Sequence, residues 1–112
     1  MKGKNLGEFE ELVMLAVGIL HDDAHGISVQ KELGIQSGRK PMISAVHKVL
    51  VRLEDKGYLQ SQMGGATSER GGRKKRLYEI TAAGKKALAT SKELRNKMWD
   101  AVPQVVWGGG SS

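Results

Sequence analysis

Apolar residues in the stretch Pro41 to Leu59, PMISAVHKVLVRLEDKGYL, fall at Ile43, Val46, Leu50 and Leu53. Alternating steps of three and four put them on one stripe of a helix. The opposite face carries Ser44, His47, Lys48, Arg52 and Asp55. Gly57 is placed to end that helix, since it takes the left-handed conformation at no steric cost. The pattern predicts a helix buried along one side and basic along the other, a form suited to meeting a polyanion. An ordinary amphipathic helix with a solvated face fits the same residues when they are taken alone.

The flanking pattern supplies a frame for this helix. From Leu6, LGEFEELVMLAVGIL places Phe9, Leu12, Val13, Ala16 and Leu20 on one face of a first helix. Glu8, Glu10 and Glu11 fall in its first turn, where the helix dipole favours negative charge. Val17 and Ile19 widen the apolar surface, predicting burial on more than one side, within the subunit or against a partner. A second helix is expected from Gly26 to Leu33, with Ile27 and Leu33 apolar. Gly34, Ser37 and Gly38 would open a turn, and Pro41 would set the backbone for the third helix. Two helices so joined, the second basic, form a helix-turn-helix.

Beyond Gly57 the period changes to two. Tyr58 to Met63 alternates, with Leu59, Ser61 and Met63 on one side, and Lys75 to Ile80 alternates with Arg76, Tyr78 and Ile80 together. Between them GGATSERGG, Gly64 to Gly72, reads as a loop, so the segment predicts a β-hairpin, or wing. Thr81 is placed to cap a last helix, TAAGKKALATSKELRNKMWDAV. Leu88, Ser91, Arg95, Met98 and Val102 form one line along it, and Ala87, Leu94, Met98 and Ala101 another. That is more apolar surface than a small core uses, and it points to packing against another subunit. Pro103 would stop this helix. The expected fold class is therefore mainly α with a small β-hairpin: a winged helix-turn-helix domain over residues 6–81 plus a C-terminal dimerisation helix over 82–103. Residues 1–5 and 104–112 are expected to be flexible tails.

Composition narrows the chemistry. A chain of 112 residues with 4% aromatics builds one modest core of aliphatic side chains. With no Cys there are no disulfides, thiolate metal sites or Cys nucleophiles, which fits a reducing cytosol. No apolar run approaches the roughly 20 residues of a membrane span. MKGKNLGEFEE lacks the apolar core of a signal peptide, and its glutamates argue against a transit peptide, so a soluble cytoplasmic protein without a membrane partner is expected. The net charge is +6, and Arg70, Arg73, Lys74, Lys75 and Arg76 concentrate it within seven residues. Such a field attracts nucleic acid or an anionic surface. The segment His21-Asp22-Asp23-Ala24-His25-Gly26 invites a metal, with two His four apart around carboxylates. It ends in Gly at a helix boundary, where Asp serves as a cap, and no third His or Cys accompanies it. No metal or other cofactor is assigned. With no Ser-His-Asp pattern or phosphate loop either, no enzymatic chemistry is assigned.

LGEFEELVMLAVGIL, the Gly38-Arg39 pair, AVHKVLVRLEDKGYL, ERGGRKKRLYEIT and TAAGKKAL together resemble the PadR family of bacterial transcriptional regulators, over about Leu6 to Leu88. The most specific part is ERGGRKKRLYEITAAG following RLEDKGYL. The resemblance implies a homodimeric repressor that binds a two-fold symmetric operator in double-stranded DNA. It carries recognition-helix roles to Ser44, His47 and Lys48, with Arg52 nearer the DNA backbone. Wing roles fall on Arg70, Gly71, Gly72, Arg73 and Lys74, and Lys75 adjoins them. The family usually has Tyr where His25 and His47 stand here. In short members the first and last helices make the dimer, and some bind planar apolar compounds between subunits. By that resemblance Trp99 is either a stacking platform for a small apolar or aromatic effector or a dimer-core anchor. Met14, Val17, Leu94, Met98 and Val102 are its expected surroundings. A competing reading is a winged-helix module that docks a protein, which calls for an exposed apolar patch in place of the basic one.

Overall fold

The computed structural model describes residues 6–64 and 74–108. Helix α1 runs Glu8–Leu20, followed by a 3-10 turn at His21–Asp23, α2 at Gly26–Ser37 and α3 at Ile43–Asp55. Strands β1, Leu59–Gly64, and β2, Lys75–Ile80, form an antiparallel hairpin, with Leu59 opposite Ile80, Ser61 opposite Tyr78 and Met63 opposite Arg76. Helix α4, Ala82–Ala101, and a short α5, Gln104–Trp107, complete the described chain. The mainly helical architecture with a small hairpin agrees with the fold class expected from the pattern.

The core joins α1, α2, α3 and the base of the hairpin. Val13, Met14, Val29, Val46, Leu50, Leu53 and Leu59 are all essentially inaccessible. Ile43, Val46, Leu50 and Leu53 line the inward side of α3 as expected, and Val49 joins them. On α1 Phe9, Val13, Ala16 and Leu20 turn inward as expected, but Leu12 does not and Met14 does. Leu12 is 43% exposed, while Met14 and Val17 are buried. The helix turns its Val13–Met14 and Ala16–Val17 pairs inward against α2, α3 and the hairpin, with the Met14 methyl at the base of α4, leaving Leu12, Leu15 and Ile19 outside.

Helix α2 continues four residues past Leu33. Gly34 and Ser37 lie inside it, and only Gly38 makes the turn, at φ +80°. The Ser37 hydroxyl donates to the Leu33 carbonyl at 2.7 Å and takes the Arg39 amide at 3.2 Å, which carries the helix to its end. Gly34 is accommodated because its Cα packs against Lys40, where a Cβ would meet the Lys40 Cβ at 3.2 Å. The core residues of α2 are Val29 and Leu33, whereas Ile27 is half exposed. Its first turn is capped by His25 and Ser28 rather than by Asp: the His25 amide donates to Ser28 Oγ at 2.9 Å, and that hydroxyl donates to the Asp23 carbonyl at 2.6 Å.

Two tight joints fix the hairpin and α4 to this bundle. The Tyr78 amide donates to the Ala24 carbonyl at 2.8 Å, so the connection into α2 pairs with the outer edge of β2. At the other end the Thr81 hydroxyl donates to the Gly57 carbonyl at 2.6 Å and accepts from the Gly84 amide at 3.0 Å. Thr81 is thus the expected cap of α4, and it also ties α4 to the end of α3, where Gly57 turns at φ +85°. Beyond that joint α4 packs Ala87 and Leu88 against the core and meets Glu11 through Ser91 and Arg95, and the rest of its surface is mostly exposed. Gly84 is the one buried residue among the described residues of α4, and the molecule measures 60 × 35 × 21 Å.

Residues 104–107, within the segment expected to be a tail, are helical. They form α5, Gln104–Trp107, and Trp107 stacks on Trp99 with ring centroids 4.4 Å apart and planes inclined by 23°. Pro103 ends α4 yet leaves the backbone at φ −62°, ready to start a new turn. The stacked rings gain by shielding each other from water.

Candidate nucleic-acid interface

Helix α3 is the element that the rest of the domain holds outward. Ser44, His47, Lys48 and Arg52 are all exposed, on the side opposite the core stripe. Val51, 54% exposed, completes the line Ser44, His47, Lys48, Val51 at helical spacing. Val51 was not singled out from the sequence, because an apolar residue beside Leu50 reads as core. The signal available was its spacing of seven from Ser44.

The loop before α3 is braced from α2, where the Gln30 amide nitrogen donates to the Pro41 carbonyl at 2.8 Å. His47 lies against the start of α2: a Cβ on Gly26 would sit 2.3 Å from its Cε1. The His25-Gly26 pair and His47 are therefore one packing unit. Gly26 leaves open the space that the exposed His47 ring fills.

The far end of α3 is anchored by a buried carboxylate. Both Glu10 oxygens accept from the Lys56 ammonium at 2.9 Å, Oε1 also accepts from the Gly7 amide at 2.8 Å, and the Arg52 guanidinium stands 3.9 Å away. Burial pushes the Glu10 carboxyl up, but the Gly7 amide, Lys56 and Arg52 together outweigh it and hold it below the usual carboxylate range. Arg52 consequently divides its charge between Glu10 and solvent. The neighbouring Glu11 turns to α4, where its Oε1 meets Arg95 Nη1 at 2.8 Å and its Oε2 accepts from the Ser91 hydroxyl.

On the hairpin, Lys74 is exposed and Lys75 half-buried at the start of β2. Arg70, Gly71, Gly72 and Arg73 lie outside the described residues. The wing's stem is linked to α3, since the Ser61 hydroxyl donates to Glu54 Oε2 at 2.8 Å and Arg76 Nη1 donates to Ser61 Oγ at 3.0 Å. Burial, with Glu54 adding to it, pushes the Tyr78 phenol up, and the Arg76 charge opposes this in part. Tyr78 is a core residue, not part of the charged face.

The residues expected around an effector or partner separate into two groups. Met14 and Val17 are buried in the subunit's own core. Leu94, Met98 and Trp99 are 55%, 62% and 63% exposed on α4, and Val102 is half-buried at its end. An open groove of about 370 Å³ runs between α1 and α4, lined by Leu15, Leu88, Lys92 and Arg95 among others. Around the 3-10 turn, His21 and Asp22 are exposed and 4.0 Å apart, while His25 Nε2 lies 3.8 Å from Asp23. Among the described residues no three His, Cys, Asp or Glu side chains gather into a metal-holding group. No helix among them is long and apolar enough to cross a membrane.

Three helices, the third exposing Ser44, His47, Lys48 and Arg52, followed by a two-stranded hairpin at its side, define a winged helix-turn-helix. The chain belongs to the PadR-like family of transcriptional regulators, whose family model matches residues 15–90. Its fold is shared with solved regulators. A PadR-family transcriptional regulator from Eggerthella lenta is 24% identical with a TM-score of 0.66, over 88% of this chain and 86% of that one. A transcriptional regulator from Clostridium thermocellum is 21% identical with a TM-score of 0.64, over 82% and 84%. A PadR-like transcription factor from Bacteroides fragilis is 20% identical with a TM-score of 0.61, over 84% and 89%. None of the curated proteins matches the sequence.

Proposed function

We propose that the protein is a sequence-specific DNA-binding repressor acting as a homodimer on an inverted-repeat operator. The observation that carries this reading is the exposed face of α3, where Ser44, His47, Lys48 and Val51 align on the side away from the core. Ser44 and Lys48 present donors to base edges in the major groove, and Val51 offers an apolar contact to a thymine methyl. Lys74, Lys75 and the rest of the basic wing, Arg70 to Arg73, neutralise phosphates beside the groove. Arg52, drawn back by Glu10, serves the backbone rather than the bases.

The homodimer is supported by the exposed apolar surface of Leu94, Met98, Trp99, Val105 and Val106. Its outward residues on α1 are Leu12, Leu15 and Ile19. A planar apolar effector would find its aromatic surface in Trp99 and Trp107, which already stack on each other.

Selection from a random duplex library, followed by salt titration of the winning site against scrambled DNA, tests the reading. An inverted repeat bound far more tightly than scrambled sequence, with affinity falling steeply as salt rises, is expected. Absence of salt-dependent binding at low ionic strength would sink it and favour a protein-docking module.

A further inference from the structure

We infer that the consecutive carboxylates Glu10 and Glu11 act as one positioning joint, which passes the placement of α4 on to the DNA-reading helix α3. The inference rests on the DNA-binding reading of α3 given above. Both residues sit in the first turn of α1 and both are buried, at 6% and 7% exposure. Consecutive positions on a helix point about 100° apart, so one short rigid segment can grip two different elements.

The two grips are distinct. Glu10 holds the end of α3 through both 2.9 Å contacts to Lys56, with Arg52 at 3.9 Å. Glu11 holds α4 through Arg95 at 2.8 Å and through the Ser91 hydroxyl. Ser91 and Arg95 are four residues apart and therefore share one face of α4. Buried carboxylates tolerate little slack, because losing a partner leaves a charge without water or counter-ion. A displacement of α4 must either break the Glu11 contacts or shift the first turn of α1. In the second case Glu10 carries Lys56 and the last turn of α3 with it.

A joint in series has a signature that two separate anchors lack. Cutting either grip removes the route through α1 from the middle of α4 to α3, leaving the direct Thr81–Gly57 tie at the base of α4 in place, and cutting both adds nothing. The test uses the full chain with Glu10→Gln, Glu11→Gln and the double variant. Ser91→Ala with Arg95→Met releases the same grip from the exposed side of α4, in case the glutamine variants fold poorly.

Backbone amide exchange without DNA comes first. Release of Glu11 or of Arg95 should speed exchange at residues 52–58, the end of α3, by about threefold or more, although every contact removed lies on α4. Acceleration confined to α4 overturns the inference. The second measurement is the ratio of affinities for the selected operator and for random DNA. Each single variant should lower that ratio by about tenfold and the double variant no further, whereas independent anchors would multiply the two losses. If the parent chain binds no DNA, the functional reading fails and the exchange result alone decides the joint.

Discussion

The Cα of Gly84, in the first turn of α4, lies so close to the Tyr58 carbonyl that a methyl group there would stand 2.3 Å from the oxygen. Ile80 Cγ2 at 2.9 Å and Met14 Cε at 3.0 Å close the other sides. The obstacle on one side is backbone, which cannot rotate away. Gly84→Ala should therefore destabilise the fold by about 3 kcal/mol despite alanine's better helix propensity, seen as a lower thermal midpoint.

Gly26 offers the contrasting case. The three atoms nearest to a Cβ there all belong to the ring of His47, an exposed side chain that can swing outward. Gly26→Ala should leave stability within about 1 kcal/mol of the parent, because helix propensity offsets the disturbed contact. Binding should change instead. With His47 displaced, the base preference at the centre of each half-site should shift in a repeated duplex selection, while affinity for random DNA holds.

Lys74 and Ser44 test the division of labour between wing and helix. Lys74→Ala should weaken operator and random DNA alike and reduce the slope of log affinity against log salt by about one. Ser44→Ala should leave that slope unchanged and narrow the gap between operator and random DNA by roughly 1 kcal/mol or more. Fluorescence anisotropy across a salt series reads both.

The chain has two tryptophans, and both lie in the stacked pair. Dilution should red-shift the emission if a second subunit covers Trp99, since the ring is 63% exposed in one subunit. Trp107→Ala should raise the monomer–dimer dissociation constant, by about tenfold if the stack holds Trp99 in its docking orientation. Sedimentation at several concentrations would measure it.

Glu10 gives the acid side of the stability profile. Its native pKa lies below the ordinary 4.5, so the charged form favours folding. That contribution is complete above the ordinary value and disappears as pH falls through it and then through the lowered native value. Glu10→Gln should accordingly cost stability at neutral pH and lessen the loss as pH falls below the ordinary 4.5, as thermal midpoints across an acid series would show.

Periodicity located α1, α3, both strands and the cap at Thr81, because each rests on contacts within a few residues or on one apolar stripe. It misjudged features that depend on a distant partner. The inward turn of Met14 follows from α2, α3, the hairpin and the base of α4 packing on α1, which no local spacing reveals. Gly34 and Ser37 read as turn residues by type, yet Ser37 bonds back to Leu33 and Gly34 packs on Lys40. The exposed basic face of α3 was legible because opposite faces of one helix are readable from its sequence. The roles of Glu10 and Glu11 were not, since acidic residues in a first turn already have a sufficient local reason in the helix dipole.

The capping of α4 at Thr81 makes that helix a lever. Trp99 lies fifteen residues beyond Gly84, which at 1.5 Å per residue is an arm of roughly 22 Å. A tilt of about 5° at the pinned end then sweeps the tryptophan pair through about 2 Å. Run in reverse, a displacement of the tryptophan pair by about 2 Å is geared down to about 5° at the Thr81 joint. In the proposed dimer, a change that small would leave the core packing intact and still move one reading helix relative to the other.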